Sequence, residues 1–282
     1  MTNGAVIFAQ NSANIDYVKM AVFSAKQLKK HLDIPVSLIT NSVGWLEQNY
    51  PDHIFDQVIA IEDSPNNQYK KINDGAVAST KIEWKNVTRD RIYKLTPYDK
   101  TLVIDSDYII NSSVLKSAFD NDHDFQIYKH SMDLASWRST AEFSRVSQWS
   151  VPFYWATAFI FTKNNIMESF FDLVAYIKIN WTYFRTLYCI TSGTYRNDYA
   201  FSIAIHIMNG KTNGQFATDL PGTMTYCTDK DLLIKMDNNR FQFLIEKENC
   251  MGEYTLAKTQ GIDVHIMNKL SLCRFIDGGI GV

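Results

Sequence analysis

The segment TLVIDSDYII, residues 101–110, carries the most concentrated chemistry in the chain. An apolar run leads into Asp105-Ser106-Asp107, and apolar residues resume after it. Carboxylates at i and i+2 point to opposite faces of a regular strand. They converge on one cation only where the strand ends or kinks. Such a pair suits a hard divalent ion, with the protein supplying few ligands and substrate phosphates completing the shell. Open α/β sheets place their ligands at the carboxyl ends of strands. The competing reading is a turn in which Asp and Ser hydrogen-bond to backbone groups.

A buried strand at this place needs a sheet around it, and the first hundred residues alternate strand and helix. Residues 5–9 are a short apolar run. Asp16 is placed to cap a helix. Val18, Ala21, Val22, Ala25, Leu28 and Leu32 follow at helical spacing, with Lys19, Lys26, Lys29 and Lys30 largely on the other side. Strands are expected at 36–40, 57–61 and 101–104. This interleaving predicts an α/β domain with a mainly parallel sheet. Further on, 125–129 and 156–161 read as strands. Ile166, Phe170, Leu173, Val174 and Ile177 form a helical stripe. A second helix is expected over 197–208, stopped by Asn209-Gly210. A short strand is expected over 264–267. The polar, Trp-bearing stretch 132–152 reads as an acceptor-side loop.

Composition narrows the classes. The chain has 282 residues, 46% hydrophobic and 13% aromatic, too apolar for a disordered chain. Its 28 Lys plus Arg against 30 Asp plus Glu give no bulk field for nucleic acid or anionic membrane. The 4 cysteines form no C-x-x-C pair, which argues against a disulfide framework or structural zinc. No apolar run approaches the ~18 residues of a membrane span. The start has no basic segment followed by a long apolar one, so a cytoplasmic protein is expected. There is no G-x-S-x-G elbow, P-loop or H-E-x-x-H helix, and no G-x-G-x-x-G after the first strand. The terminal GGIGV has no helix after it and is no phosphate loop.

The stretch TRDRIYKLTPYDKTLVIDSDYII, residues 88–110, resembles the nucleotide-sugar glycosyltransferases of the GT-A fold, glycogenin and its relatives. Arg89, Tyr93, Leu95, Thr96, Tyr98, Asp105 and Asp107 fall at matching spacing. The segment FAQNSANIDYVKMAVFSAKQLKKH is similar to the family's first strand, nucleotide loop and first helix. YWATAFIFTKNN resembles the strand after an Asn-Ser-Gly turn, but Ala156-Thr157-Ala158 stands there and the sugar-contacting Asn is missing. RNDYAFSIAIHIMN resembles a helix opening with Asp-Gln, with Tyr199 in place of the Gln. DVHIMNKL resembles the segment carrying the third metal ligand, but Lys269 comes four residues after the His instead of six, and no Pro follows.

The resemblance implies a GT-A (Rossmann-like) α/β fold with a mainly parallel central sheet flanked by helices. It implies one domain over 1–282, with a nucleotide-binding half over about 1–110 and an acceptor half with a closing tail over about 111–282. Asp105, Asp107 and His265 would hold Mn²⁺ or Mg²⁺. Phe8, Ala9, Gln10 and Asn11 would lie along base and ribose, and Tyr17 would stack on the base. Arg89, Ser106 and Lys269 would contact the donor. Asp198, with Arg89, would serve catalysis, orienting the sugar or stabilising an oxocarbenium-like state. The implied activity is metal-dependent transfer of a hexose-like sugar from a nucleoside diphosphate donor, UDP favoured, with retained configuration. The acceptor carries no signature, and a homo-oligomer is left open.

Plainer readings stand beside these. Tyr17 would be a packing aromatic, Arg89 a surface charge, His265 a histidine on a short strand, and Asp198 a carboxylate favoured by the helix dipole. His206 reads as packed in its helix. Trp149, Phe153, Tyr154 and Trp155 would form a sugar-stacking platform or simply core. The alternative functions are a nucleotidyltransferase on the same type of sheet and an inactive relative that binds a nucleotide sugar.

Overall fold

The computed structural model describes residues 1–62, 68–237 and 239–278. Of the terminal GGIGV segment only Gly278 falls within them, so that expectation lies outside the described residues. The chain opens with β1 (Asn3–Ala9), α1 (Tyr17–Leu32), β2 (Val36–Thr40), α2 (Val43–Asn49) and β3 (Gln57–Ala60). The expected cap forms: the Asp16 carboxylate accepts the Lys19 amide at 2.9 Å. The apolar stripe of α1 is buried, and Asp33 closes the helix in the left-handed region at φ 55°.

A hairpin that the sequence reading passed over comes next, β4 (Tyr69–Asp74) and β5 (Ala78–Glu83). A 3-10 turn at Arg89–Arg91 runs into α3 (Ile92–Leu95), followed by β6 (Lys100–Asp105) and β7 (Tyr108–Ile109). The chain continues through β8 (Phe125–Tyr128), β9 (Ser131–Asp133), β10 (Trp155–Thr162), α4 (Asn165–Ile179), α5 (Trp181–Leu187) and α6 (Asn197–Met208). It ends with β11 (Met224–Cys227), β12 (Leu232–Asp237), β13 (Arg240–Glu246), β14 (Tyr254–Gln260), β15 (Val264–Ile266) and α7 (Lys269–Asp277).

The central sheet has the order β3-β2-β1-β6-β10-β8. The first four strands run parallel, and β10 is antiparallel to both of its neighbours. This is the mainly parallel α/β architecture, flanked by helices, that the resemblance implies. Strands buried on both faces read as continuous apolar runs, and Ala5, Val6, Ile7, Leu102, Val103 and Ile104 are all 0% exposed. One glycine is required by close approach. A Cβ on Gly4 would lie 2.4 Å from the Tyr98 ring, which a 2.8 Å hydrogen bond to Ser37 fixes in place.

The aromatic content concentrates between β8, β10, α4 and α6, where Phe125, Phe159, Phe170, Phe171 and Phe201 pack ring against ring. Ile166 does not belong to that face: it is 54% exposed, and Met167, fully buried, takes its place. A second sheet, β7-β15-β11-β9, lies across the end of β6. A third, the antiparallel meander β12-β13-β14, was not foreseen, and its last strand has no buried residue to set an apolar pattern. The 132–152 stretch is pinned rather than free. Arg138 joins Asp133 at 2.7 Å to Asp231 at 2.6 Å.

Candidate functional site

The strand β6 ends at Asp105, and the chain turns through Ser106 before β7. That turn lets carboxylates at i and i+2 face one point, as the sequence pattern requires. β7 pairs antiparallel with β15, setting Tyr108 opposite His265, and the Ile266 amide donates to the Asp107 carbonyl at 2.8 Å. His265 Nε2 is thereby held 3.5 Å from Asp107 Oδ1. One ligand atom each from Asp105, Asp107 and His265 lies within 4.8 Å of the others.

Each carboxylate is already half spent. Asp105 Oδ1 accepts from Asn86 Nδ2 at 3.0 Å and from the Arg89 guanidinium. Asp107 Oδ2 accepts from Lys269 Nζ at 2.5 Å. Asp105 Oδ2 accepts no hydrogen bond among the described residues, and Asp107 Oδ1 turns to the imidazole. Two oxygens and one ring nitrogen, buried or nearly so, fit a divalent ion that accepts both donor types. Neutral Nε2 is the atom such an ion would take.

The electrostatics follow from burial among charges. Burial disfavours the Asp107 carboxylate, but the Lys269 ammonium and His265 outweigh it and hold the group well below the usual carboxylate range. Burial raises Asp105, against the opposing charge of Arg89. Lys269 is desolvated too, yet Asp107 and neighbouring groups keep it protonated above the ordinary lysine range.

These groups form one wall of a cavity of about 550 Å³. Phe8, Gln10 and Tyr17 border it from the β1 and α1 side, and Ser106 from the turn. Tyr17 packs against both hydrophobic clusters. Its Oη is buried without a hydrogen-bond partner among the described residues. Burial pushes its phenol up to about 12, with Lys269, Asp107 and Asp105 near enough to contribute.

Two residues of the expected nucleotide loop do not border the cavity. Ala9 is 1% exposed inside the core. Asn11 supports the helix instead, its side-chain oxygen accepting the Val18 amide at 2.9 Å. Arg89 is no surface charge. It is 1% exposed, with its guanidinium donating to the Asp105 carboxylate and the Ala156 carbonyl.

Opposite the carboxylate pair stands Asp198, in the first turn of α6. Its Oδ1 accepts the Ala156 amide at 3.0 Å, and its Oδ2 accepts from Arg196 at 2.8 Å. Both polar backbone groups of Ala156 are thus engaged, by Asp198 and by Arg89. A register shift between Trp155 and Phe159 in β10 turns this segment toward the cavity.

Of the platform and core readings of the four aromatic residues, core holds for three. Trp149 is 84% exposed, while Phe153, Tyr154 and Trp155 are buried. Of the four, only Trp155 borders the cavity, its ring meeting the His265 ring edge-on with centroids 6.0 Å apart. His206 is half-buried and meets the Tyr188 ring edge-on.

Sequence reasoning missed Asn86, Arg196, Asn197 and the hairpin residues Lys70 and Trp84, all of which border the cavity. Asn197 Nδ2 donates to the Asn86 carbonyl at 2.9 Å, and Asn86 in turn holds Asp105. Arg196 was within reach of the sequence, two residues before Asp198. Asn86 was visible only as part of an Asn-x-Thr triplet.

No helix of the described residues is long and apolar enough to cross a membrane. No protein-family model matches the chain, and no curated protein matches it. Solved glycosyltransferases are similar to it in structure. The glycosyltransferase GlyE of Streptococcus pneumoniae TIGR4 is 14% identical with a TM-score of 0.40, over 78% of this chain and 45% of GlyE. The galactosyltransferase LgtC, solved with donor and acceptor sugar analogs, is 12% identical with a TM-score of 0.46, over 77% of this chain and 73% of LgtC. The chain therefore spans less than half the length of GlyE.

Proposed function

We propose that this protein is a divalent-metal-dependent glycosyltransferase that moves a sugar from a nucleoside diphosphate donor to an acceptor, with retention of configuration. The observation that carries the reading is the convergence of Asp105, Asp107 and His265 at the carboxyl end of β6, in the wall of a cavity that also takes in Tyr17 and Asp198. The two sequence halves, 1–110 and 111–282, act here as one domain, each supplying part of that cavity.

The physical problem is a diphosphate that gains negative charge as the glycosidic bond breaks. A bound divalent ion, Mn²⁺ by preference, supplies Lewis-acid neutralisation of that charge. Asp105, Asp107 and His265 hold it. Asn86 and Arg89 fix the Asp105 carboxylate, so the first of the metal's oxygens is oriented before the donor arrives. Arg89 then acts on the donor through Asp105. Phe8 and Gln10 line the base and ribose side, and UDP is the diphosphate favoured. Ser106 stands at the phosphate side of the turn.

Tyr17 stacks on the base. Tyr17→Ala should weaken nucleotide binding by ~1–3 kcal/mol, on the scale of base–aromatic stacking. Tyr17→Phe should leave affinity unchanged and should not lower stability, because the lost hydroxyl has no partner to abandon. Calorimetric titration of both variants checks this. Equal affinity in the alanine variant would return Tyr17 to the core.

Asp198 orients the sugar hydroxyls and supports positive charge at the anomeric carbon. Its charge is balanced by Arg196 and its geometry fixed by the Ala156 amide, a combination suited to holding a substrate rather than attacking it. Asp198→Asn should lower kcat roughly ten- to a hundred-fold, the scale of a lost charged hydrogen bond. Donor affinity should change less, and Mn²⁺ affinity should stay at the wild-type value. An unchanged kcat would make Asp198 a structural brace for Ala156.

The experiment that tests the function as a whole is a thermal-shift screen of nucleoside diphosphates and their sugars, with and without Mn²⁺. A bound ligand stabilises by mass action, ~2.7 kcal/mol at a hundred times Kd. The expected result is a shift with one base, only when Mn²⁺ is present. A screen in which no diphosphate raises Tm would reject the reading.

A further inference from the structure

We propose that Lys70, on β4, is the cation that meets the distal phosphate of the donor, a role that the resembled family's pattern would assign to Lys269. The proposal rests on the nucleotide-sugar reading above.

The cations around the cavity are mostly spent. Arg89 is bound to Asp105, Arg196 to Asp198 at 2.8 Å, and Lys269 to Asp107 at 2.5 Å. Lys269 is also 7% exposed and clamped on a carboxylate that the metal needs. Lys70 and Lys71 border the same cavity and have no carboxylate partner among the described residues. The Lys70 ammonium lies 5.2 Å over the Trp84 ring, a contact that attracts a cation without neutralising it.

The cavity that Lys70 borders is also bordered by Lys269 and Asp107 and by Arg196 and Asp198. Lys70 remains reachable from solvent. A cation that borders the same cavity as the carboxylate cluster and Asp198, with no carboxylate partner among the described residues, suits the negative charge of a phosphate held there.

The strand that carries it is braced. The Asn73 amide and side chain donate to Asp229 at 2.8 and 3.0 Å, the Ala76 amide donates to Tyr254 Oη at 2.8 Å, and Asp74 pairs with Arg274 at 2.7 Å. The hairpin tip is therefore tied to the carboxyl-terminal part of the chain. A fixed cation aimed where charge develops needs no reorganisation when it acts.

The test is calorimetric titration at saturating Mn²⁺ with UDP and UMP, or the same pair for the base that the screen identifies. Lys70→Gln should weaken diphosphate binding roughly ten- to a hundred-fold, the range of a hydrogen bond to a charged group. It should leave monophosphate binding within about two-fold, and Lys70→Arg should recover most of the loss. Lys81→Gln removes the same charge from the same hairpin, where Lys81 lies over the Tyr69 ring and is not among the residues that border the cavity, and should change neither affinity. Diphosphate affinity in Lys70→Gln within about two-fold of wild type would overturn the proposal. So would equal losses for diphosphate and monophosphate, or an equal loss in Lys81→Gln, which would mark a general field effect. A wild-type protein that binds no nucleoside diphosphate would overturn the underlying reading, and this proposal with it.

Discussion

Asp107→Asn should abolish Mn²⁺ binding and destabilise the fold together. The Asp107 carboxylate is 3% exposed as a residue and is the partner of a buried ammonium, Lys269. Breaking a buried ion pair from one side costs about 3–5 kcal/mol, because the remaining charge is left unpaired. The sequence alone would have predicted loss of metal with the fold intact; the Lys269 contact changes that expectation. Asp107→Asn/Lys269→Met removes both charges and should recover most of the stability without recovering Mn²⁺ affinity. Chemical denaturation and Mn²⁺ titration by electron paramagnetic resonance separate the two effects. Mn²⁺ affinity at the wild-type value in Asp107→Asn would remove this residue from the metal site. The pH dependence has a definite sign. Because the folded-state pKa of Asp107 is depressed, its contribution is present above the unfolded carboxylate value of about 3.9 and is lost as pH falls below it.

Arg138→Ala should be strongly destabilising although it lies away from Asp105, Asp107 and His265. The guanidinium donates to Asp133 Oδ1 at 2.7 Å and to both oxygens of Asp231, at 2.9 and 2.6 Å. Asp231 also accepts the backbone amides of Thr228 at 2.8 Å and Glu246 at 3.0 Å. The triad therefore joins the 132–152 stretch to the start of β12 and the end of β13. Removing the only cation leaves two buried carboxylates facing each other, at a cost of about 3–5 kcal/mol. For a chain of this size that lowers Tm by roughly 10 °C, measurable by calorimetry. A fall of only a degree or two would mean that the pair is solvated in practice and the stretch held by other contacts.

The parts of this molecule that could be read from sequence are those where pattern is local. The run from β1 through β2 emerged with nearly its true boundaries, since apolar strands and an amphipathic helix announce themselves within a few turns. The carboxylate pair was legible for the same reason, because a D-x-D after an apolar strand places both groups at one strand end. The β4–β5 hairpin was missed although Asp74-Gly75 is a hairpin-turn signal, with Gly75 at φ 75°. Its exposed, lysine-rich strands give little hydrophobic alternation to confirm the turn.

The remaining site residues depend on register between distant segments. Lys269 reaches Asp107 across 162 positions, and it does so because β15 pairs with β7 and delivers α7 to the turn. Nothing in the spacing of DVHIMNKL shows that contact. Asn86 becomes a support for Asp105 only through the path of the chain before the 3-10 turn at Arg89–Arg91. Asn11, expected to line the nucleotide, satisfies a helix amide instead, a demand that composition does not reveal.

The proposed function requires the cluster of Asp105, Asp107 and His265 to hold a divalent ion, which would neutralise the diphosphate as a nucleoside diphosphate sugar is cleaved at its glycosidic bond. The most direct measurement is product analysis of the purified protein, incubated with the donor found by screening, in Mn²⁺ and then in saturating chelator. The expected result is nucleoside diphosphate plus free or transferred sugar in Mn²⁺, none in chelator, and none in Asp105→Asn. Turnover undiminished by chelator would contradict it, as would pyrophosphate-dependent interconversion of nucleotide sugar and nucleoside triphosphate in place of sugar release.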